Sequence, residues 1–210
     1  LLIDVSGSLE FGSEERTQRD LVTEIAATLS FSAIRNNDKI GVLFFSDHVE
    51  KFIPPAKGKG HILRIIRELL TIRPTGKRTD IGGALEYFMR VMRRQSVVFL
   101  LSDFVDDKDY SRPLAMARGR HDVVALQVYD RRMTTLPDVG LMKWEDAETG
   151  HQQYVDTSSP AVRKAYAEHW QQRMNSLRNL LNRNRVDHVS INTAGDYIQS
   201  LKALFAKRAR

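Results

Sequence analysis

A chain of 210 residues, 42% of them hydrophobic and 28% charged, is long enough to bury one substantial core and does not require a second. It has no cysteine, which excludes a disulfide framework and thiolate chemistry. Its net charge of +6 is unaccompanied by any nucleic-acid motif, and the longest apolar run, Val97 to Leu101, is far short of the roughly 20 residues that cross a bilayer.

The chain opens on a strand, Leu1 to Val5, that runs directly into Asp4-Val5-Ser6-Gly7-Ser8. A helix is predicted over Thr17 to Asn36, then strands over Lys39 to Phe45 and Glu50 to Ile53, and helices over Gly60 to Leu70 and Thr79 to Arg94. A strand over Ser96 to Leu101, a helix over Arg112 to Arg118 and a strand over Asp122 to Val128 follow. The stretch at about 140–157 reads as an inserted hairpin turning at Glu148-Thr149-Gly150, with Trp144 and Tyr154 as packing residues. A helix over Pro160 to Asn184, a strand over Asp187 to Ile191 and a helix over Gly195 to Arg208 complete the chain.

Most of these strands are continuously apolar, the pattern of a sheet covered on both faces. With the alternation of strand and helix, they predict an α/β fold, a doubly wound, mostly parallel sheet with one antiparallel strand at an edge, in a single domain over 1–210. The long helix carries a stripe of Val162, Tyr166, Trp170, Met174, Leu177 and Leu181, so we expect it to pack on the core and to turn a basic face to solvent. The chain begins within a strand and without methionine, and it is expected to be an excerpt of a longer protein. With no signal peptide, it suits a cytoplasmic setting, any membrane attachment lying in regions outside it.

Ligands of open α/β sheets gather beyond the carboxyl ends of the strands, and three polar clusters fall there. They are Asp4-x-Ser6-x-Ser8, Thr79-Asp80, and Asp103 directly after an apolar strand. Each alone has a plain alternative. Ser8 or Ser13 could cap the next helix, Thr79 or Asp80 could cap its own, and Asp103 could be a turn residue. Together they make an all-oxygen set of two carboxylates and three hydroxyls, which selects Mg²⁺, with Mn²⁺ or Ca²⁺ as alternatives, over zinc or copper. Residues at i, i+2 and i+4 can share one side as the chain leaves a strand, which accounts for the DxSxS spacing.

Asp4, Ser6, Ser8, Thr79 and Asp103 resemble the metal-ion-dependent adhesion site of von Willebrand factor A (vWA) domains. The phrases "RTDIGGAL", "VVFLLSDF", "WEDAETG" and "TAGDYIQSLKALF" are similar to the bacterial DUF58 branch of that superfamily. The resemblance implies a six-stranded sheet, a divalent cation at its upper edge, and binding of a protein partner that offers an acidic residue, with a MoxR-type AAA+ ATPase as the candidate. It implies no catalytic residues. Arg78 departs from the pattern, since many relatives carry glycine there. The rival is a haloacid-dehalogenase-like Mg²⁺-dependent phosphatase, imitated by Asp103 and Asp107 in "FLLSDFVDD". That chemistry wants a second acid two residues after the first, where this chain has Ser6. Asp106, Asp107 and Asp109 read as a solvated acidic loop, and the six histidines share no ligand spacing.

Overall fold

A computed structural model describes residues 1–13, 16–145 and 150–208. The first strand, β1 (Leu2–Asp4), passes through a 3₁₀ turn (Gly7–Glu10) and a two-rung ribbon of β2 (Gly12–Ser13) with β3 (Arg16–Thr17) into helix α1 (Gln18–Arg35). Strands β4 (Ile40–Phe45) and β5 (Val49–Ala56) form a hairpin, followed by helices α2 (Lys59–Thr71) and α3 (Ile81–Val91). Then come β6 (Val97–Ser102), α4 (Ser111–Arg120) and β7 (Asp122–Tyr129). A second hairpin, β8 (Leu141–Glu145) with β9 (Gln152–Asp156), precedes α5 (Pro160–Arg183), β10 (Asp187–Asn192) and α6 (Tyr197–Arg208).

Six strands form one sheet in the order β10-β7-β6-β1-β4-β5, parallel throughout except for β5. The fold is therefore the doubly wound α/β sheet expected from the sequence, with the antiparallel strand at an edge. Side chains alternate across the pleat, which is why each apolar strand feeds two cores. Ile3, Val42, Phe44 and Leu101 pack on one face with Leu21 and Ile25 of α1, Ile65 of α2 and Leu201 of α6. Leu2, Leu43, Phe45 and Leu100 pack on the other with Leu85 and Phe88 of α3, Leu114 of α4 and Leu181 of α5.

Local chemistry sets the element ends. Thr17 caps α1 reciprocally with Asp20, its hydroxyl accepting from Asp20 N while the Asp20 carboxylate takes Thr17 N. The cap is thus neither Ser8 nor Ser13. In β5, the second of the consecutive prolines Pro54 and Pro55 lies against Gly41, where a Cβ would come within 2.8 Å of Pro55 N.

The long helix only partly matches its expected role. Of its apolar stripe, Leu177 and Leu181 are buried, whereas Val162, Tyr166, Trp170 and Met174 are half-buried. Its first half leaves the sheet and carries the inserted hairpin, with Trp144 tilted on Tyr166 at 5.5 Å. Tyr154 does not pack as expected: it pairs with Lys143 across the hairpin on its outer side and is 72% exposed. The predicted turn at Glu148 and Thr149 lies outside the described residues. Among the described residues no helix is long and apolar enough to cross a membrane.

Candidate metal centre

The five residues singled out by sequence stand at the carboxyl edge of the sheet, where β1 and β6 lie side by side. Asp4, the last residue of β1, accepts a hydrogen bond on Oδ1 from Ser6 N at 2.9 Å. The chain then turns so that the Ser6 and Ser8 hydroxyls lie 3.1 Å apart. Thr79 Oγ1 arrives from a distant loop and donates to Ser6 Oγ at 2.9 Å. Asp103 follows β6, close enough to Asp4 for the two carboxyl groups to interact. Asp4, Ser6, Thr79 and Asp103 are all buried, and Ser8 alone is half-buried, so the cluster opens to solvent on its side.

Thr79 owes its position to a carboxylate that sequence reading missed. Glu50 of β5 accepts from Thr75 N at 2.9 Å, Gly76 N at 2.9 Å and Ser46 Oγ at 2.7 Å, which ties the 74–77 loop to the sheet. Burial pushes the Glu50 carboxyl up, but these bonds outweigh it and hold the group below its ordinary value. Gly76 is required by close approach, since a Cβ there would meet Asp47 Oδ1 at 2.2 Å. Farther along, Gly7 N donates to Lys77 O and Asp80 N to Ser46 O, pressing Thr79 against the β1 turn.

The remaining acids have structural work. Asp80 caps α3 by accepting from Gly83 N at 2.7 Å, and Asp106 accepts from the next free donor, Ile81 N, at 2.8 Å. Lys108 reaches Asp80 Oδ2 at 2.5 Å. Asp106 is therefore half-buried rather than part of a solvated loop, while Asp107 and Asp109 are exposed. Arg78 is exposed beside buried Thr79.

Ser102 and Phe104 are the other features that sequence reading missed. Ser102, fully buried, donates to Asp4 Oδ2 at 2.6 Å and accepts from Phe104 N at 2.9 Å. Phe104 sits at φ 60°, a left-handed conformation that a bulky residue rarely adopts, and it lets the chain fold back directly after Asp103. Nothing in the sequence marks that strain, although a serine ending a strand beside an acidic one is a signal that could have been read.

Burial first, and the Asp103 charge second, hold the Asp4 carboxyl well above the usual carboxylate range. Two like charges confined this way, among hydroxyl oxygens and without a nitrogen or sulfur donor, fit a hard divalent cation. Among the described residues no group of three or more His, Cys, Asp or Glu is placed to hold a metal, so any ion here would depend on the hydroxyls.

The geometry agrees with what the chain resembles. An uncharacterized protein of Mycobacterium tuberculosis is 33% identical over 152 residues, covering 71% of this chain and 48% of its own length, so the chain spans about half of the curated relatives it matches. The crystal structure of BatB from Bacteroides thetaiotaomicron superposes with a TM-score of 0.64 at 14% identity, covering 99% of this chain and 96% of that one. The SpRpn10 VWA domain superposes with a TM-score of 0.52 at 10% identity, covering 98% and 92%. Both likenesses show the fold, which is vWA-like. A family described as "Protein of unknown function DUF58" matches residues 1–176, and the chain accordingly belongs to the DUF58 family.

Proposed function

We propose that this chain is a metal-dependent protein-interaction module and not an enzyme. Asp4, Ser6, Ser8, Thr79 and Asp103 would hold one divalent cation, Mg²⁺ first among the candidates, at the carboxyl edge of the sheet. The observation that carries the reading is the convergence of three distant segments into one oxygen cluster, buried at Asp4, Ser6, Thr79 and Asp103 and half-exposed at Ser8. When bound, the ion supplies positive charge with an exchangeable coordination position, which a partner's carboxylate completes. The chain's own residues orient and desolvate: Ser102 and Ser6 fix Asp4, and Glu50 fixes the loop that brings Thr79.

Among the described residues the Ser6 hydroxyl bonds Ser8 and Thr79 rather than a histidine or lysine that could activate it as a nucleophile. The vWA-like fold and the family resemblance make a protein offering an acidic residue the expected partner, and a MoxR-type AAA+ ATPase the first to try. The proposal takes a cytoplasmic setting and no nucleic-acid ligand.

The test is a binding assay between the chain and a MoxR-type ATPase from the same cell, with Mg²⁺, with excess chelator, and with Thr79→Ala. Thr79→Ala removes a neutral ligand without changing net charge. Loss of association in chelator and a clear weakening in Thr79→Ala are expected. Association that persists in both would make the metal incidental and overturn the reading.

A further inference from the structure

The sheet has a second edge, and its chemistry is the opposite of the first. In a parallel sheet each helix returns the chain from the carboxyl edge to the amino edge, so helix ends and the starts of the following strands collect there. Every such junction carries two cations. Arg35 and Lys39 stand between α1 and β4, Arg93 and Arg94 between α3 and β6, and Arg118 and Arg120 at the end of α4. Arg183 and Arg185 stand between α5 and β10, and Lys207 and Arg208 end α6. The antiparallel β5 adds Lys57 and Lys59, because its last residue Ala56 pairs with Ile40 at the start of β4.

Only three acids share this edge among the described residues. Asp122 and Asp187 are both taken by Arg208, which leaves Asp38. Twelve cations against three acids exceed the net charge of +6 of the entire chain, so the rest of the molecule is net acidic and the charge is segregated to one end. Helix C-termini favour a cation in the last turn, and that accounts for part of the pattern. It accounts for both cations of α4 and of α6, but not for Lys39, Arg93, Arg94 and Arg185, nor for Lys57 and Lys59. Apart from Arg118 and Arg208, all are exposed, and none of these exposed groups forms an ion pair among the described residues.

Apolar side chains are interleaved with the cations. Val97, the first residue of β6, is 55% exposed; Val91, the last of α3, is 38% exposed; Phe31, one turn from the end of α1, is 51% exposed. A cleft of about 780 Å³ opens at Val91 and Val97, walled also by Leu1, Phe52 and Pro55 and by Lys39, Arg93 and Arg94. A nucleic-acid backbone would use the cations and leave these apolar groups in water. An anionic lipid surface uses both, headgroups pairing with Arg and Lys while Val and Phe enter the acyl boundary.

We propose that the amino edge of the sheet is a docking surface for an anionic phospholipid bilayer. The strands then stand on the membrane, and the carboxyl edge with its oxygen cluster lies one strand length, about 20 Å, farther out, free to meet a partner.

The test is flotation of the 210-residue chain with phosphatidylcholine vesicles containing about a third phosphatidylglycerol, in chelator so that the opposite edge takes no part. Binding is expected at about 0.1 M salt, release at about 0.5 M, and no binding to phosphatidylcholine alone. Arg93→Glu with Arg94→Glu and Arg185→Glu, which lie outside the helices, should lower the apparent affinity at least about tenfold with an unchanged melting temperature. If that variant does not fold, Lys57→Glu with Lys59→Glu takes its place. Val97→Ser should weaken vesicle binding and leave binding to a duplex of about 20 base pairs unaltered. Absence of vesicle binding at low salt, full binding by the charge-reversed variants, or tighter binding to the duplex than to the vesicles would overturn the proposal.

Discussion

Ser102 places its hydroxyl 2.6 Å from Asp4 Oδ2, a bond between the ends of two adjacent parallel strands that are 98 residues apart in sequence. It fixes the carboxylate that opens the candidate metal site. Ser102→Ala removes a buried donor and leaves both Asp4 Oδ2 and Phe104 N short of a partner, so a loss of about 2 kcal/mol in folding stability is expected. A denaturant titration of the variant measures it, and an unchanged midpoint would show that the bond contributes nothing.

Asp4 itself gives the sharper result. Asp4→Ala should abolish binding of Mg²⁺ to the isolated chain, because it removes charge and a ligand together, and calorimetry reads this directly. The same change relieves the repulsion with Asp103 but strips the Ser102 hydroxyl and Ser6 N of their acceptor, two opposed effects on the stability of the ion-free variant. Unchanged Mg²⁺ affinity would remove Asp4 from the site.

Glu50 carries a pH dependence with a definite sign. Its folded-state pKa lies below the ordinary 4.5, so the stability it contributes is fully present above that value and is lost as pH falls through the folded-state pKa. Glu50→Gln should therefore be less stable than the parent near neutral pH, by about 2 kcal/mol, and the two should converge as pH falls below the ordinary 4.5 and through the lower folded-state pKa. Parallel stability curves across that window would show that Glu50 does not hold the 74–77 loop as a charged group.

The haloacid-dehalogenase-like alternative predicts turnover of a generic phosphate ester in Mg²⁺ that disappears in Asp4→Asn. We expect none above background, since the position two residues after Asp4 is Ser6, whose hydroxyl is engaged with Ser8 and Thr79. Slow turnover that survives Asp4→Asn would be contamination.

The sheet was legible because its strands are apolar on both faces and its helices stand between them with clear starts, such as Pro160 in α5, although the Thr17–Asp20 box that starts α1 was passed over for Ser8 or Ser13. The five cluster residues were legible because each follows a strand end or precedes a helix. What escaped was long-range or conformational. Glu50 acts on a loop 25 residues away, and Ser102 looks like the last polar residue of an apolar strand. The left-handed Phe104 has no compositional mark, and the Tyr154 error came from treating an aromatic residue in a hairpin as inward-facing when alternation puts it on the outer side.

The prolines of β5 bear on how this chain can associate. An edge strand with free backbone donors invites another chain to extend the sheet, but Pro54 and Pro55, near the end of edge strand β5, offer none. Growth of the sheet into a continuous two-molecule β-structure is thereby disfavoured at this end. Association at this end then falls to side chains, which can be released and re-formed as conditions change, rather than to a fused backbone.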